Sequence, residues 1–100
     1  MSLETVTEQI KQKLGHAAQI NATIKFDFGD DGIVLVDTTQ NPPVISHEDG
    51  EAVTTLACST DTFLAIANGT QDPNIAFMMG KLKVKGSMGV AMKLNAILEG

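Results

Sequence analysis

The chain has no arginine, no tryptophan and no tyrosine, and a single cysteine among its 100 residues. Without arginine, and with 12 acids against 7 lysines for a net charge of −5, a broad phosphate-binding surface is not expected, so nucleic acid is excluded as a partner. Cys58 alone forms no intrachain disulfide, so thiol chemistry fixes no compartment and a reducing cytosol is compatible. No run approaches about eighteen consecutive apolar residues. Met1-Ser2-Leu3-Glu4-Thr5 lacks the basic cluster and apolar stretch of a signal peptide, and we therefore expect a soluble, cytoplasmic protein. The length leaves no room for several repeats of about 20–50 residues. It predicts one core and one domain over residues 1–100.

What is present is apolar, at 43% hydrophobic residues, too much for a disordered tail. Leu3, Val6, Ile10 and Leu14 recur at helical spacing, with Glu4, Glu8, Lys11 and Lys13 between them. This predicts an amphipathic helix capped near Ser2 and closed by Gly15. From Ala22 to Phe28 apolar and polar residues alternate as in a half-buried strand, and Gly29-Asp30-Asp31-Gly32 makes a turn. Ile33 to Val36 is apolar on both parities, which predicts a central strand covered on part of both faces. After a loop at Asn41-Pro42-Pro43, Val44–His47 and Val53–Cys58 flank Asp49-Gly50. They read as third and fourth strands joined in a hairpin, so the sheet is expected to grow antiparallel.

Ser59 or Thr60 caps the next helix, whose apolar stripe of Phe63, Leu64, Ile66 and Ala67 stops at Gly69. Asp72-Pro73 opens a short helix through Ile75, Phe77, Met78 and Met79 to Gly80. Lys81-Leu82-Lys83-Val84-Lys85 alternates strictly, so Leu82 and Val84 face the core and the three lysines face away. Ser87 caps a last helix from Met88 to about Leu98, in which Lys93, Asn95 and Glu99 are the strongly polar residues. A helix apolar around most of its circumference needs cover on more than one side. Another helix, another subunit or a ligand would supply it.

No constellation carries catalysis, so no catalytic residue, metal ligand or cofactor is assigned and the protein is not expected to be an enzyme. His16 and His47 lack the clustered partners that metal sites use. Ser59, Thr60 and Asp61 are explained by helix capping, and Cys58 by burial at a strand end. Asp27, Asp31 and Gly32 fit positions of a calcium loop, but Gly29 and Thr38 fall where a ligand and the closing glutamate belong. Gly86-Ser87-Met88-Gly89 lacks the remaining positions of a phosphate loop and reads as a turn with close backbone packing. The lysine stripe Lys81, Lys83, Lys85 is either a solvated sheet face that protects an edge or a contact with anionic lipid headgroups.

The methionines carry more. Apart from Met1, all four fall between positions 78 and 92, at Met78, Met79, Met88 and Met92, on the same two helices as Phe77, Val90, Leu94 and Ile97. Methionine fills core gaps, and it also lines promiscuous apolar binding surfaces. This is more apolar surface than one face of a small sheet needs, and a methionine-lined apolar pocket would absorb the excess.

Asp72-Pro73 through Ala76-Phe77, Gly80-Lys81-Leu82-Lys83-Val84-Lys85-Gly86, Met88-Gly89 and Ala91-Met92-Lys93-Leu94 closely resemble the C-terminal signature of the sterol carrier protein-2 family. A weaker likeness runs through Phe28-Gly29-Asp30-Asp31-Gly32, Val36-Asp37 and the helix ending at Gly69. The resemblance implies an α+β fold with a five-stranded, mostly antiparallel sheet and helices packed on one face around a hydrophobic tunnel. It implies no catalysis, and a tunnel that takes fatty acyl chains, fatty acyl-CoA, sterols or phospholipids. The tunnel-lining role would fall on Phe63, Ile66, Phe77, Met78, Met88, Met92 and Ile97, with Met79 and Leu94 alongside. Met79 stands where peroxisomal relatives commonly carry glutamine. Leu98-Glu99-Gly100 carries no peroxisomal tripeptide address, so peroxisomal targeting is not expected, and a second subunit could close the tunnel mouth. Expected partners are a lipid ligand and, transiently, anionic membranes, with the protein a monomer or weak homodimer. The alternative is an interaction domain whose apolar C-terminal helix forms a dimer or partner interface.

Overall fold

The computed structural model describes residues 3–14, 20–40 and 42–99. Ser2, Gly15, His16 and Asn41, invoked above, lie outside them. The elements are α1 (Leu3–Leu14), β1 (Thr23–Asp27), a single 3-10 turn (Gly29–Asp31), β2 (Ile33–Asp37), β3 (Val44–Ser46), β4 (Thr54–Cys58), α2 (Thr60–Asn68), α3 (Pro73–Met78), β5 (Leu82–Gly86) and α4 (Met88–Glu99).

The fold is α+β, with a five-stranded sheet in the order β3-β2-β1-β4-β5. Two expectations need correction. Val44–His47 and Val53–Cys58 do not form a hairpin, because β4 pairs parallel with β1, Phe26 opposite Leu56, while β3 lies at the far edge against β2. The other three pairings are antiparallel. β1, not β2, is therefore the central strand. A parallel neighbour cannot be reached by a tight turn, so residues 47–53 must cross the sheet.

They cross its outer face. Lys25 and Leu35 are cross-strand partners on that face. The Lys25 ammonium meets the Asp49 carboxylate at 2.6 Å, and a Cβ on Gly50 would stand 3.0 Å from a Leu35 methyl. The apolar second parity of β2 is thus explained by the crossing segment, not by a central position. Thr7 Oγ1 donates to the Leu3 carbonyl at 2.7 Å and so has no proton left for His47. The 3.0 Å contact makes His47 Nε2–H the donor, and the start of the crossing is tied to α1. At the end of the β1–β2 ladder, buried Thr38 Oγ1 donates to the Ala22 carbonyl and accepts from the Ala22 N–H.

The inner face carries the core. Ile24 and Phe26 of β1, Val34 and Val36 of β2, Leu56 of β4 and Leu82 of β5 pack against Val6, Ile10 and Leu14 of α1, Phe63 and Ile66 of α2, and Ala91, Leu94 and Leu98 of α4. Phe63 sits edge-on to both Phe26 and Phe28, with ring centroids 5.5 and 5.6 Å apart, geometry favoured by the ring quadrupoles. The caps follow the sequence pattern: Ser59 accepts from the Thr62 N–H, Asp72 from Asn74 and Ser87 from Val90.

Gly86 closes the β4–β5 pairing at a φ of +87°, and a Cβ there would lie 2.3 Å from the Val53 carbonyl oxygen. Gly69, after α2, has a similar φ of +81° but open space around it. Gly86→Ala adds a backbone clash to the conformational strain and is expected to destabilise by about 2–4 kcal/mol. Gly69→Ala bears the strain alone and should lose about 1 kcal/mol. Urea unfolding of the two variants checks the order; equal losses would remove the close approach from the account.

Candidate functional site

α3 and α4 both pack against the edge strand β5. α3 begins with Asp72 as cap and Pro73 at its first position, and buries Pro73 and Ala76. It stops where Gly80 takes a φ of +78° and the Lys81 N–H returns to the Ala76 carbonyl, which turns the chain directly into β5. Leu82 of β5 is buried and Val84 packs partly against the core, while Lys81, Lys83 and Lys85 are exposed. α4 then buries Ala91, Leu94 and Leu98, three residues on one side of a helix.

Ile75, Phe77, Met78 and Met79 around α3, and Met88 and Met92 of α4, are six of the eight large hydrophobic side chains exposed among the described residues. Met78 is 83% exposed and Met92 69%. Scattered apolar side chains on a surface need no explanation, but six of them on two elements that both pack against β5 are the kind of gathered apolar surface that marks an interaction site. Methionine suits it, because three rotatable bonds and a polarisable sulfur let one surface fit guests of different shape.

The residues named from the sequence therefore separate into two sets. Phe77, Met78, Met79, Met88 and Met92 form the exposed patch, with Ile97 half-buried at the core margin. Phe63, Ile66 and Leu94 are buried in the core beneath the helices. The sequence reading missed two positions. Ile75, 51% exposed, belongs with the patch by its exposure, which residue type alone does not reveal. Asn95 holds a buried side-chain oxygen with no hydrogen-bond partner among the described residues, and it is the one amide in a helix whose other strongly polar residues are Lys93 and Glu99.

Beyond Gly80 the chain carries three exposed lysines, which project from the face of β5 opposite Leu82 and Val84. The described ion pairs are Lys11–Glu8 and Lys25–Asp49, so Lys81, Lys83 and Lys85 have none among the described residues. Asp27, Phe28, Ala57, Cys58, Lys81 and Lys83 are among the residues that line a cleft of about 360 Å³. Clefts of about 280 and 250 Å³ lie at Pro42-Pro43 and at Glu51–Val53. The methionines line none of these three.

The family model of the SCP-2 sterol transfer family matches residues 3–99. The non-specific lipid-transfer protein-like 1 of Caenorhabditis elegans is 30% identical over 105 residues, covering 96% of this chain and 89% of that protein. Human sterol carrier protein 2 is 43% identical over 52 residues, 52% of this chain but only 10% of the human protein. Among solved structures, the palmitated SCP2L2 of Aedes aegypti shares the fold with a TM-score of 0.72 at 24% identity, covering 100% of this chain and 96% of that one.

Cys58, the last residue of β4, lines the 360 Å³ cleft. Burial pushes its thiol up from 9.0 to about 12, since desolvation disfavours the thiolate. Between about pH 9 and 12 the unfolded chain has released this proton and the folded chain holds it. The stability linked to Cys58 is thus fully present below about pH 9 and is lost as pH rises toward 12. At pH 8 a disulfide exchange reagent should react with the native protein at least about a hundredfold more slowly than with the urea-unfolded chain. Equal rates would show that Cys58 is open to solvent.

Proposed function

The chain belongs to the SCP-2 sterol transfer family, and from that premise we propose that it binds and carries lipids without catalysing a reaction. Its ligands are drawn from fatty acids, fatty acyl-CoA, sterols and phospholipids. The observation that carries this reading is the methionine patch of α3 and α4, an apolar surface without cover in the structure. A relative matched along most of its length bears a lipid-transfer name, and the palmitated mosquito protein has the same fold; both support an acyl chain as one guest.

In this proposal the lipid body lies on Phe77, Met78, Met88 and Met92. A partial parting of α4 from α2, against which it packs, gives it Phe63, Ile66, Leu94 and Ile97 as an apolar floor, so that the space forms as it is filled. Covering one exposed methionine contributes up to about 1.5–3 kcal/mol. A guest covering Phe77 and the three methionines therefore gains on the order of 6–12 kcal/mol before the cost of association is subtracted. Lys81, Lys83 and Lys85, next to Met78 and Met79 in the chain, attract anionic headgroups while the methionines receive the lipid, each cation near the surface contributing about 1 kcal/mol. No helix among the described residues is long and apolar enough to cross a membrane, so the contact is peripheral.

Native mass spectrometry before and after organic extraction tests the carrier reading directly: a bound lipid, or uptake of a fluorescent fatty acid by the extracted protein, is expected. In Met88→Glu/Met92→Glu uptake should fall at least about tenfold while the melting temperature stays within a few degrees, because both side chains are at least half exposed. A stable dimer after extraction with no fatty acid bound would favour the interface reading. Binding to phosphatidylserine vesicles should weaken with salt and in Lys83→Glu; unchanged binding in that variant removes the lysine stripe from the proposal.

A further inference from the structure

On the outer face of the sheet the strand register sets Asp27, Ala57 and Lys83 side by side on β1, β4 and β5. All three line the 360 Å³ cleft, together with Lys81 and Ser59. Asp27 and Lys83 are two strand spacings apart, about 10 Å between their backbones, and in that row the methyl group of Ala57 is all that stands between them. The described ion pairs join neither Lys81 nor Lys83 to Asp27. Asp27 Oδ1 accepts from the Gly29 N–H at 2.9 Å, which leaves Oδ2 without a partner among the described residues. The Ser59 hydroxyl is already committed to Thr62, to which it donates and from whose N–H it accepts. One wall of the cleft therefore offers a carboxylate oxygen and the other two ammonium groups, with small side chains between them.

We propose that this cleft binds a small zwitterion in which a phosphomonoester and a primary ammonium stand a few bonds apart. Lys81 and Lys83 hold the phosphate, and the ammonium donates to Asp27 Oδ2. The charges decide the class of ligand. A plain anion is repelled by the Asp27 carboxylate and a plain cation by the two lysines. A phosphomonoester carries about −1.5 to −2 charges near neutral pH, which two lysines balance as point charges, and the one carboxylate balances the ammonium. A phospholipid headgroup is a phosphodiester with a single negative charge, which leaves one lysine unmatched. The cleft is at the small end of ligand pockets, which span about 300–1,000 Å³, and the methionines do not line it. The site is thus separate from the lipid patch and does not depend on the lipid-carrier reading.

The test is titration of the full chain with O-phosphoethanolamine at low salt, followed through the backbone amide resonances, with inorganic phosphate, ethanolamine and glycerophosphoethanolamine as comparison probes. O-phosphoethanolamine is expected to move the amides of Gly29, Ala57 and Lys83 and to bind about tenfold more tightly than any of the other three. Asn at position 27 still accepts from the Gly29 N–H, so Asp27→Asn should keep the turn, bring O-phosphoethanolamine down to the level of inorganic phosphate and leave phosphate bound no more weakly. Lys83→Gln, at an exposed side chain, should weaken both at least about fivefold, and Lys81→Gln repeats that readout outside the strand. Equal affinity for O-phosphoethanolamine and inorganic phosphate in the wild type, or a difference that survives Asp27→Asn, overturns the inference. Equal or tighter binding of glycerophosphoethanolamine transfers the cleft to a lipid headgroup and overturns it as well.

Discussion

The parallel pairing of β4 with β1 is the constraint on which the remaining architecture depends. Phe26 opposite Leu56 and Ile24 opposite Thr54 can be achieved only if the chain leaves β3 at one edge and travels over β2 and β1 before re-entering the sheet. The route over the outer face, held by Lys25–Asp49 and by Gly50 against Leu35, covers that side of β2. The inner face is left to helices alone. α1, α2 and α4 then meet one another as well as the sheet, and the last quarter of the chain is left to build on the opposite edge, at β5.

That edge is narrow. β5 presents Leu82 and, partly, Val84 to the interior, so α4 has room to bury one side, through Ala91, Leu94 and Leu98. The same helix is apolar on a second side, and there the sheet has ended. The surplus is carried by methionine more than by leucine or isoleucine. An exposed unbranched thioether keeps its rotamers and adapts to what covers it, whereas a β-branched side chain offers one shape.

Much of the local structure was legible because each element announces itself within a few residues. Ser59, Asp72 and Ser87 cap the helices their positions suggested, and the alternation of Lys81 to Lys85 matches β5 with its lysines outward. The strand order was not legible. Asp49-Gly50 looks like a hairpin turn, and nothing within the short runs around it reveals that their partners are β1 and β2, since pairing is a long-range property and turn chemistry a local one. The candidate site was legible in part. Residue type singled out the methionines and Phe77, but could not separate them from Phe63, Ile66 and Leu94, because all lie on apolar stripes of helices and burial is decided by which side meets the sheet.

The separation into exposed methionines and a buried floor has an energetic reason. A standing tunnel at the small end of ligand pockets, about 300 Å³, would cost on the order of 7 kcal/mol at the rate found for empty apolar cavities. That is comparable with the whole stability of a small domain, about 5–15 kcal/mol. Among the described residues the methionines stand at the surface and not around a closed void. Flexible apolar side chains displayed at the sheet's edge avoid the void, at the smaller cost of wetted methionine. The penalty that remains is a tendency to associate, which the adjacent unpaired lysines and the overall charge of −5 oppose by keeping copies of the chain mutually repelled and solvated. Apolar capacity on the surface, charge beside it and a core that closes without a guest are three consequences of the same shortage of interior.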